Sequence, residues 1–80
     1  MDLANLKDQI KSLYETDMGD FKRKVVTYLN NFLEENKETS FQMKIKDIKN
    51  RVICYITPEK NPIEEIDLLR REILDTLENL

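Results

Sequence analysis

The sequence predicts an α+β domain in which two helices, a β-hairpin and a C-terminal helix follow one another along the chain (α-α-β-β-α). Apolar residues recur every three or four positions between residues 3 and 32, and alternate with polar ones between residues 41 and 57. The helical spacing returns after residue 62. A period of 3.6 is typical of helices and a period of 2 of strands. No low-complexity linker divides the 80 residues, so we expect a single domain spanning residues 1–80.

The first two predicted elements are amphipathic helices. The apolar stripe of the first helix consists of Leu3, Leu6, Ile10 and Leu13. The stripe of the second consists of Phe21, Val25, Tyr28, Leu29 and Phe32. In both cases polar residues occupy the opposite side, which is the pattern of a helix packed on one face.

Residues 15–20 separate the two helices and allow two interpretations. Thr16, Asp17 and Asp20 are good cap formers, which favours a turn and therefore a helical hairpin. The two stripes nevertheless stay in phase through Tyr14 and Met18, as they would in one long, broken helix of about 45 Å. A helix of that length would imply a dimer with a coiled-coil seam. We favour the hairpin.

The alternating region predicts a β-hairpin. Apolar Phe41, Met43 and Ile45 alternate with Gln42, Lys44 and Lys46, and Val52, Cys54 and Ile56 alternate with Ile53, Tyr55 and Thr57. A two-residue turn at positions 49–50 would pair Ile45 with Cys54 and Met43 with Ile56 on an apolar inner face. This register predicts that Cys54 is a buried core thiol.

The last element is predicted to be a helix. Pro58 ends the second strand, and Asn61 can cap a helix that has Pro62 in its first turn. Its apolar stripe is Ile66, Leu69, Ile73, Leu77 and Leu80. A short third strand at residues 63–66, with Asp67 as the helix cap, is the alternative.

The residue inventory excludes most catalytic and metal sites. The chain has no histidine, one cysteine and one glycine, so neither histidine-activated nucleophiles nor cysteine-rich zinc sites nor phosphate-binding glycine loops can be built. Acidic pairs such as Asp17 and Asp20 are better explained as helix ends than as ligands for Mg²⁺. We therefore predict a protein that is not an enzyme and holds no cofactor and no metal.

The sequence also predicts a cytoplasmic protein without a membrane segment. No signal sequence is recognisable at residues 1–5, and the longest apolar run, residues 52–56, is too short to cross a bilayer. The single Cys54 agrees with a reducing compartment. A net charge of −3 disfavours binding to nucleic acid or anionic lipid by the protein as a whole.

Two surfaces are candidates for binding. The stripe of the first helix could bind a protein partner or a second copy of the chain; this candidate interface is Leu3, Leu6, Ile10, Leu13 and Tyr14. The alternative is that the stripe packs inside the domain. The outer face of the hairpin could bind single-stranded nucleic acid, and this candidate face is Lys44, Lys46, Arg51, Ile53 and Tyr55. Its alternative is an ordinary solvated sheet face.

Part of the chain resembles the FlaG family of small flagellar proteins. Residues 29–33 resemble that family's Leu-Asn-x-φ-Leu helix end, where φ is apolar, and residues 63–66 resemble its Ile-Arg-Gln-Ile segment. Residues 40–45 and 51–56 resemble its first two strands. The chain departs from the family at residues 67–68, where the family has a double proline. The resemblance implies a non-enzymatic flagellar accessory protein.

From the sequence we thus expect a non-catalytic protein-interaction or self-association module, acting as a small regulatory or accessory protein. The alternative is a nucleic-acid-binding regulator that uses the basic outer face of the hairpin, whose binding would weaken steeply with salt.

Overall fold

Four helices make up the part of the chain that the structure, a computed structural model, describes: residues 2–37, 40–55 and 62–79. These helices are α1 (Leu3–Lys11), α2 (Met18–Glu35), α3 (Gln42–Cys54) and α4 (Pro62–Glu78). Helices α2 and α4 lie in the middle and contact each other. Helix α1 packs on one side of this pair and α3 on the other, so that α1 and α3 do not touch.

Helices α1 and α2 form the predicted hairpin. Helix α1 ends at Lys11, and Asp17 caps α2 with extended backbone and a carboxylate that accepts a hydrogen bond from the backbone N–H of Asp20 at 3.0 Å. Residues 13–17 are not helical, so the alternative of one long helix is wrong. The physical reason is local. In a continuous helix the backbone N–H of Asp20 would donate to a preceding carbonyl, and here the side chain of Asp17 accepts that hydrogen bond instead.

The α+β prediction is wrong, because the segment assigned to the β-hairpin forms helix α3. The alternation of its apolar residues is real, but a second pattern runs through the same residues. Phe41, Ile45, Ile48, Val52 and Tyr55 recur at steps of four and three and form one helical stripe. Of these, Ile45, Ile48 and Val52 are buried. The β-branched residues, which favour strands, made the shorter period look decisive.

The predicted turn at positions 49–50 lies inside α3, and the side chains around it are placed differently from the hairpin prediction. Ile48, which the hairpin register would place beside the turn and off the apolar inner face, is 3% exposed, whereas Met43, which it would place on that inner face, is 78% exposed. Cys54 is exposed, so the prediction of a buried thiol is wrong too. A tight two-residue hairpin turn needs positive φ angles, and no described residue has one. The predicted partner Ile56 lies outside the described residues.

Helix α4 confirms the predicted C-terminal helix, and the alternative of a third strand at residues 63–66 is wrong because these residues are helical. Its stripe is buried at Ile66, Leu69, Ile73 and Leu77. The predicted cap Asn61, the strand end at Pro58 and the last stripe residue Leu80 lie outside the described residues.

The core is entirely apolar among the described residues. Helix α2 gives the largest share of it, with Met18, Phe21, Val25, Leu29 and Phe32. Each of the pairs α1–α2, α2–α3 and α3–α4 is antiparallel, as in an up-down bundle. Polar contacts set the direction of α3 along α2: Lys22 donates to the carbonyl of Tyr55, and Lys49 donates to the side chain of Asn30 at 3.1 Å.

Candidate functional site

An open groove runs between α3 and α4, whose contact is the least extensive among the helix pairs that touch in the described fold. The buried residues of both helices point mainly into the shared core. The flanks that face each other across the groove carry Lys44 and Arg51 on α3, and Glu72 and Thr76 on α4. Because these side chains are polar or charged, they do not interdigitate as apolar ridges would. The seam between the two helices therefore stays open to solvent.

The groove has a volume of about 380 Å³. Helix α3 lines it with Lys44, Asp47, Ile48 and Arg51, and helix α4 lines it with Asp75, Thr76 and Asn79. A smaller cavity continues along the same seam and adds Val52, Leu69, Glu72 and Ile73. A helix is about 10 Å wide, so a groove of this size accepts side chains from a partner's helix and not the helix as a whole. We call the surface formed by Lys44, Arg51, Glu72 and Asp75, with the groove between them, the α3–α4 face.

The two helices that form this face carry opposite charge. Helix α3 has four basic residues and one acidic residue, which gives a net charge of +3. Helix α4 has six acidic and two basic residues, which gives −4. The net charge of the whole chain is −3, and this total does not show that α3 is basic while α4 is acidic. The face is therefore bipolar.

The charges at the centre of the face have no partner across the groove. The ion pairs among the described residues involve neither Lys44 nor Arg51 on α3, and neither Glu72 nor Asp75 on α4. All four side chains are exposed. An exposed ion pair is worth little inside a folded monomer, but the same charges direct and select a partner that approaches the face.

At the C-terminal end of α3, Tyr55 is held by three contacts. Its hydroxyl donates a hydrogen bond to Oε2 of Glu65 at 2.7 Å, its carbonyl accepts one from Lys22, and the Lys22 ammonium lies 5.8 Å from the centre of its ring. The hydrogen bond to Glu65, with burial and the carboxylates of Glu65 and Glu72 as further causes, raises the pKa of Tyr55 to about 12. Tyr55 therefore ties the end of α3 to the first turns of α4.

Two large apolar side chains lie exposed beside the face. Leu68 is 50% exposed and precedes Glu72 by four residues and Asp75 by seven, which places all three on one stripe of α4. Met43 is exposed at the start of α3, next to Lys44. Exposed apolar side chains among unpaired charges are the composition of a protein-binding surface.

The structure divides the candidate nucleic-acid face. Lys44 and Arg51 line the groove, whereas Tyr55 follows the end of α3 and its hydroxyl is bonded to Glu65. Lys46 and Ile53 are seven residues apart on α3, on a different side of the helix from Lys44 and Arg51. The five residues therefore do not share one surface. In a strand, alternate residues point to the same face, whereas in a helix residues two positions apart point in different directions.

The candidate interface on α1 is mostly inside the protein. Leu6, Ile10 and Leu13 belong to the core, and Leu3 is partly buried against it. Tyr14 alone is open, at 83% exposure, with the Arg70 guanidinium 5.4 Å from the centre of its ring. Apart from Tyr14, this stripe therefore packs inside the domain, which was the alternative to an interface.

Several acidic residues that could act as ligands for Mg²⁺ have structural partners instead. Asp17 caps α2, Asp67 pairs with Arg70, and Glu65 accepts from Tyr55. Within residues 2–37, 40–55 and 62–79, no group of three or more His, Cys, Asp or Glu side chains is arranged to hold a metal ion. In the same ranges no helix is both long and apolar enough to cross a membrane.

The acidic half of the face was missed by sequence analysis. Glu72 and Asp75 come more than 20 residues after Lys44 and Arg51, and only the antiparallel packing of α3 and α4 brings the two sets together. A signal was present, because Leu68, Glu72, Asp75 and Asn79 recur at helical spacing away from the buried stripe of α4. Because residues 42–54 were predicted to form part of a β-hairpin, no basic helix was expected to lie beside that acidic stripe.

No family model, no curated protein and no solved structure matches this chain. The resemblance to the FlaG family stays a prediction from the sequence, and residues 42–45 and 51–54 of the two strands that it implies are helical here.

Proposed function

We propose that this chain is a non-catalytic protein-interaction module, a small regulatory or accessory protein whose α3–α4 face binds a helix of another protein chain. The observation that carries the proposal is the bipolar groove. The side chains of its basic wall, Lys44 and Arg51, and of its acidic wall, Glu72 and Asp75, are exposed and form no ion pair with another described residue. A partner helix with the complementary pair of charged edges would satisfy both walls at once.

The apolar residues beside the groove support a protein partner. Leu68 and Met43 would supply apolar contact area at the edges of the face, and charged residues around them would set the register of binding. A helix laid along a groove is a common mode of peptide recognition and needs anchors at helical spacing, which α4 offers at Leu68, Glu72 and Asp75.

Nucleic acid is a weaker candidate for the same face. A phosphate backbone that approached Lys44 and Arg51 would also meet Glu72 and Asp75 on the opposite wall, and like charges at contact oppose binding. The ring of Tyr55 faces the Lys22 ammonium and its hydroxyl is bonded to Glu65, so it is poorly placed to stack on a base.

A non-catalytic role and a cytoplasmic location are parts of the same proposal. Asp17 acts as a helix cap and Asp67 as an ion-pair partner, which is a structural use of these carboxylates. Cys54 is free and exposed, and an exposed thiol persists best in a reducing compartment.

Site-specific photo-crosslinking tests the proposal. A photoreactive amino acid at Asp47, inside the groove, is compared with the same group at Asn31, an exposed position on α2, in a lysate of the encoding organism. We expect protein adducts from position 47 that withstand nuclease and are lost when Lys44→Glu and Arg51→Glu are added. Equal adducts from both positions, or nucleic-acid adducts that nuclease removes, would overturn the proposal.

A further inference from the structure

We infer that the partner of the α3–α4 face is a second copy of this chain, bound so that α3 of each protomer lies against α4 of the other. This inference rests on the proposed function and names its partner. A homodimer needs a surface that is complementary to itself, and a face with one basic and one acidic helix has that property. The charged side chains that line the seam give a net charge of +1 on α3, from Lys44, Asp47 and Arg51, and of −2 on α4, from Glu72 and Asp75.

Two-fold symmetry allows two ways to stack this face on itself, and charge decides between them. If the symmetry axis ran across the helices, α3 would lie on its own copy and α4 on its own copy, so that the groove-lining charges of each helix would face like charges. If the axis runs parallel to the helices, each α3 lies on the α4 of the other protomer. The second arrangement alone puts opposite charges in contact.

The parallel axis also gives correct helix directions. Helices α3 and α4 are antiparallel within one protomer, because Tyr55 at the end of α3 contacts Glu65 near the start of α4. Rotation about an axis along the helices keeps their directions, so α3 of one protomer is antiparallel to α4 of its partner. The four helices then form an antiparallel bundle in which every neighbouring pair joins a basic to an acidic helix.

The register of this bundle follows from the contacts within the monomer. Lys44 lines the groove together with Asp75, and Arg51 lines the same seam together with Glu72. Rotation about the parallel axis conserves height along the helices. Lys44 therefore comes to the level of Asp75 of the partner subunit, and Arg51 to the level of the partner's Glu72. Symmetry makes each pair twice, so the dimer gains four ion pairs.

The apolar contribution comes from the edges of the face. Leu68, half exposed in the monomer, precedes Glu72 by one helical turn and would be covered by α3 of the second copy. An 80-residue chain buries a modest share of its surface, so additional apolar burial in a dimer would add to its stability.

Charge reversal tests the arrangement on the purified protein. The mass of the wild type is measured by sedimentation equilibrium over a range of concentrations, and we expect it to approach twice 9.6 kDa. Lys44→Glu with Arg51→Glu changes α3 from +3 to −1, which makes it repel α4 of the other copy. An exposed ion pair is worth about 1.4-fold to fivefold in an equilibrium constant, so the loss of four should raise the dimer Kd about fourfold or more, and the like charges put in their place should raise it further.

A second variant restores the pairing. Glu72→Lys with Asp75→Lys alone should also weaken the dimer, but the four substitutions together exchange the two walls and should bring the Kd back towards the wild-type value. Reversal of Lys11 and Lys46, two exposed lysines outside the face, gives the same change in net charge and should leave the Kd unchanged. Circular dichroism checks that every variant keeps its helix content.

The outcomes separate this inference from the proposed function. A wild type that stays monomeric, or a fourfold variant that fails to dimerise while folded, overturns the homodimer. If the photoreactive group at Asp47 still labels a different protein in a charge-dependent way, the proposed function stands with another partner. If position 47 labels nothing more than position 31 does, both are overturned.

Discussion

Replacing Ile48 with alanine distinguishes the helical fold from a hairpin more sharply than any other single change. Ile48 is 3% exposed on the buried side of α3, whereas the hairpin register would put it beside the turn, on the outer face of the strand. The substitution removes three side-chain carbons, worth about 2.4 kcal/mol at about 0.8 kcal/mol per buried methylene. The cavity left behind adds to this, so we expect a loss of about 2.5–4 kcal/mol in the free energy of unfolding.

Met43→Ala is the matched control, since Met43 is 78% exposed although the hairpin would place it in the core. In protein dilute enough to be monomeric, we expect its effect to lie within about 0.5 kcal/mol of zero, because it removes no buried contact and alanine favours helix. Urea unfolding followed by circular dichroism measures both variants, and an unchanged dependence on urea concentration would show that the two-state comparison holds. If Met43→Ala cost more than Ile48→Ala, the assignment of residues 42–54 to a packed helix would be refuted.

Three further results follow from individual contacts. Asp17→Ala removes the cap of α2 and should cost about 1 kcal/mol in urea unfolding, whereas Asp8→Ala, at an exposed position inside α1, should cost nothing; equal effects would contradict the capping role. Tyr55→Phe removes the hydrogen bond to Glu65 and should cost about 1 kcal/mol at neutral pH. Because folding raises the pKa of Tyr55 from 10.0 to about 12, its stabilisation is complete below pH 10 and is lost as the pH rises to about 12. The stability difference between wild type and this variant, measured by urea unfolding across that interval, should therefore shrink towards high pH, and a constant difference would contradict the cause given for the shift. Cys54 should react with a thiol reagent in dilute native protein about as fast as in urea, and strong protection would place it in the core after all.

Much of the fold follows from local patterns in the sequence. The stripes of α1, α2 and α4 each have a single consistent period, so their helices could be predicted without knowledge of their neighbours. The turn between α1 and α2 was also predictable, because three cap-forming residues stand there, although only the structure shows that Asp17 is the one that caps α2.

The candidate site was predicted only in part. Lys44 and Arg51 were identified as exposed cations, and both line the groove. Their grouping with Lys46 and Ile53 was wrong because it assumed strand geometry. The α1 stripe was considered as an interface because its apolar residues could be counted, but counting does not show whether another helix covers them.

What the sequence determined by itself is therefore the set of elements whose hydrophobic period is unambiguous, together with the exclusion of sites that need histidine, several cysteines or glycine loops. What only the tertiary structure decided is the state of residues 42–54 and the existence of the α3–α4 face. Both periods fit that segment, and packing of Ile45, Ile48 and Val52 into the core selects the helix. The face arises because antiparallel packing joins a basic and an acidic helix, a relation between distant residues that no local pattern contains.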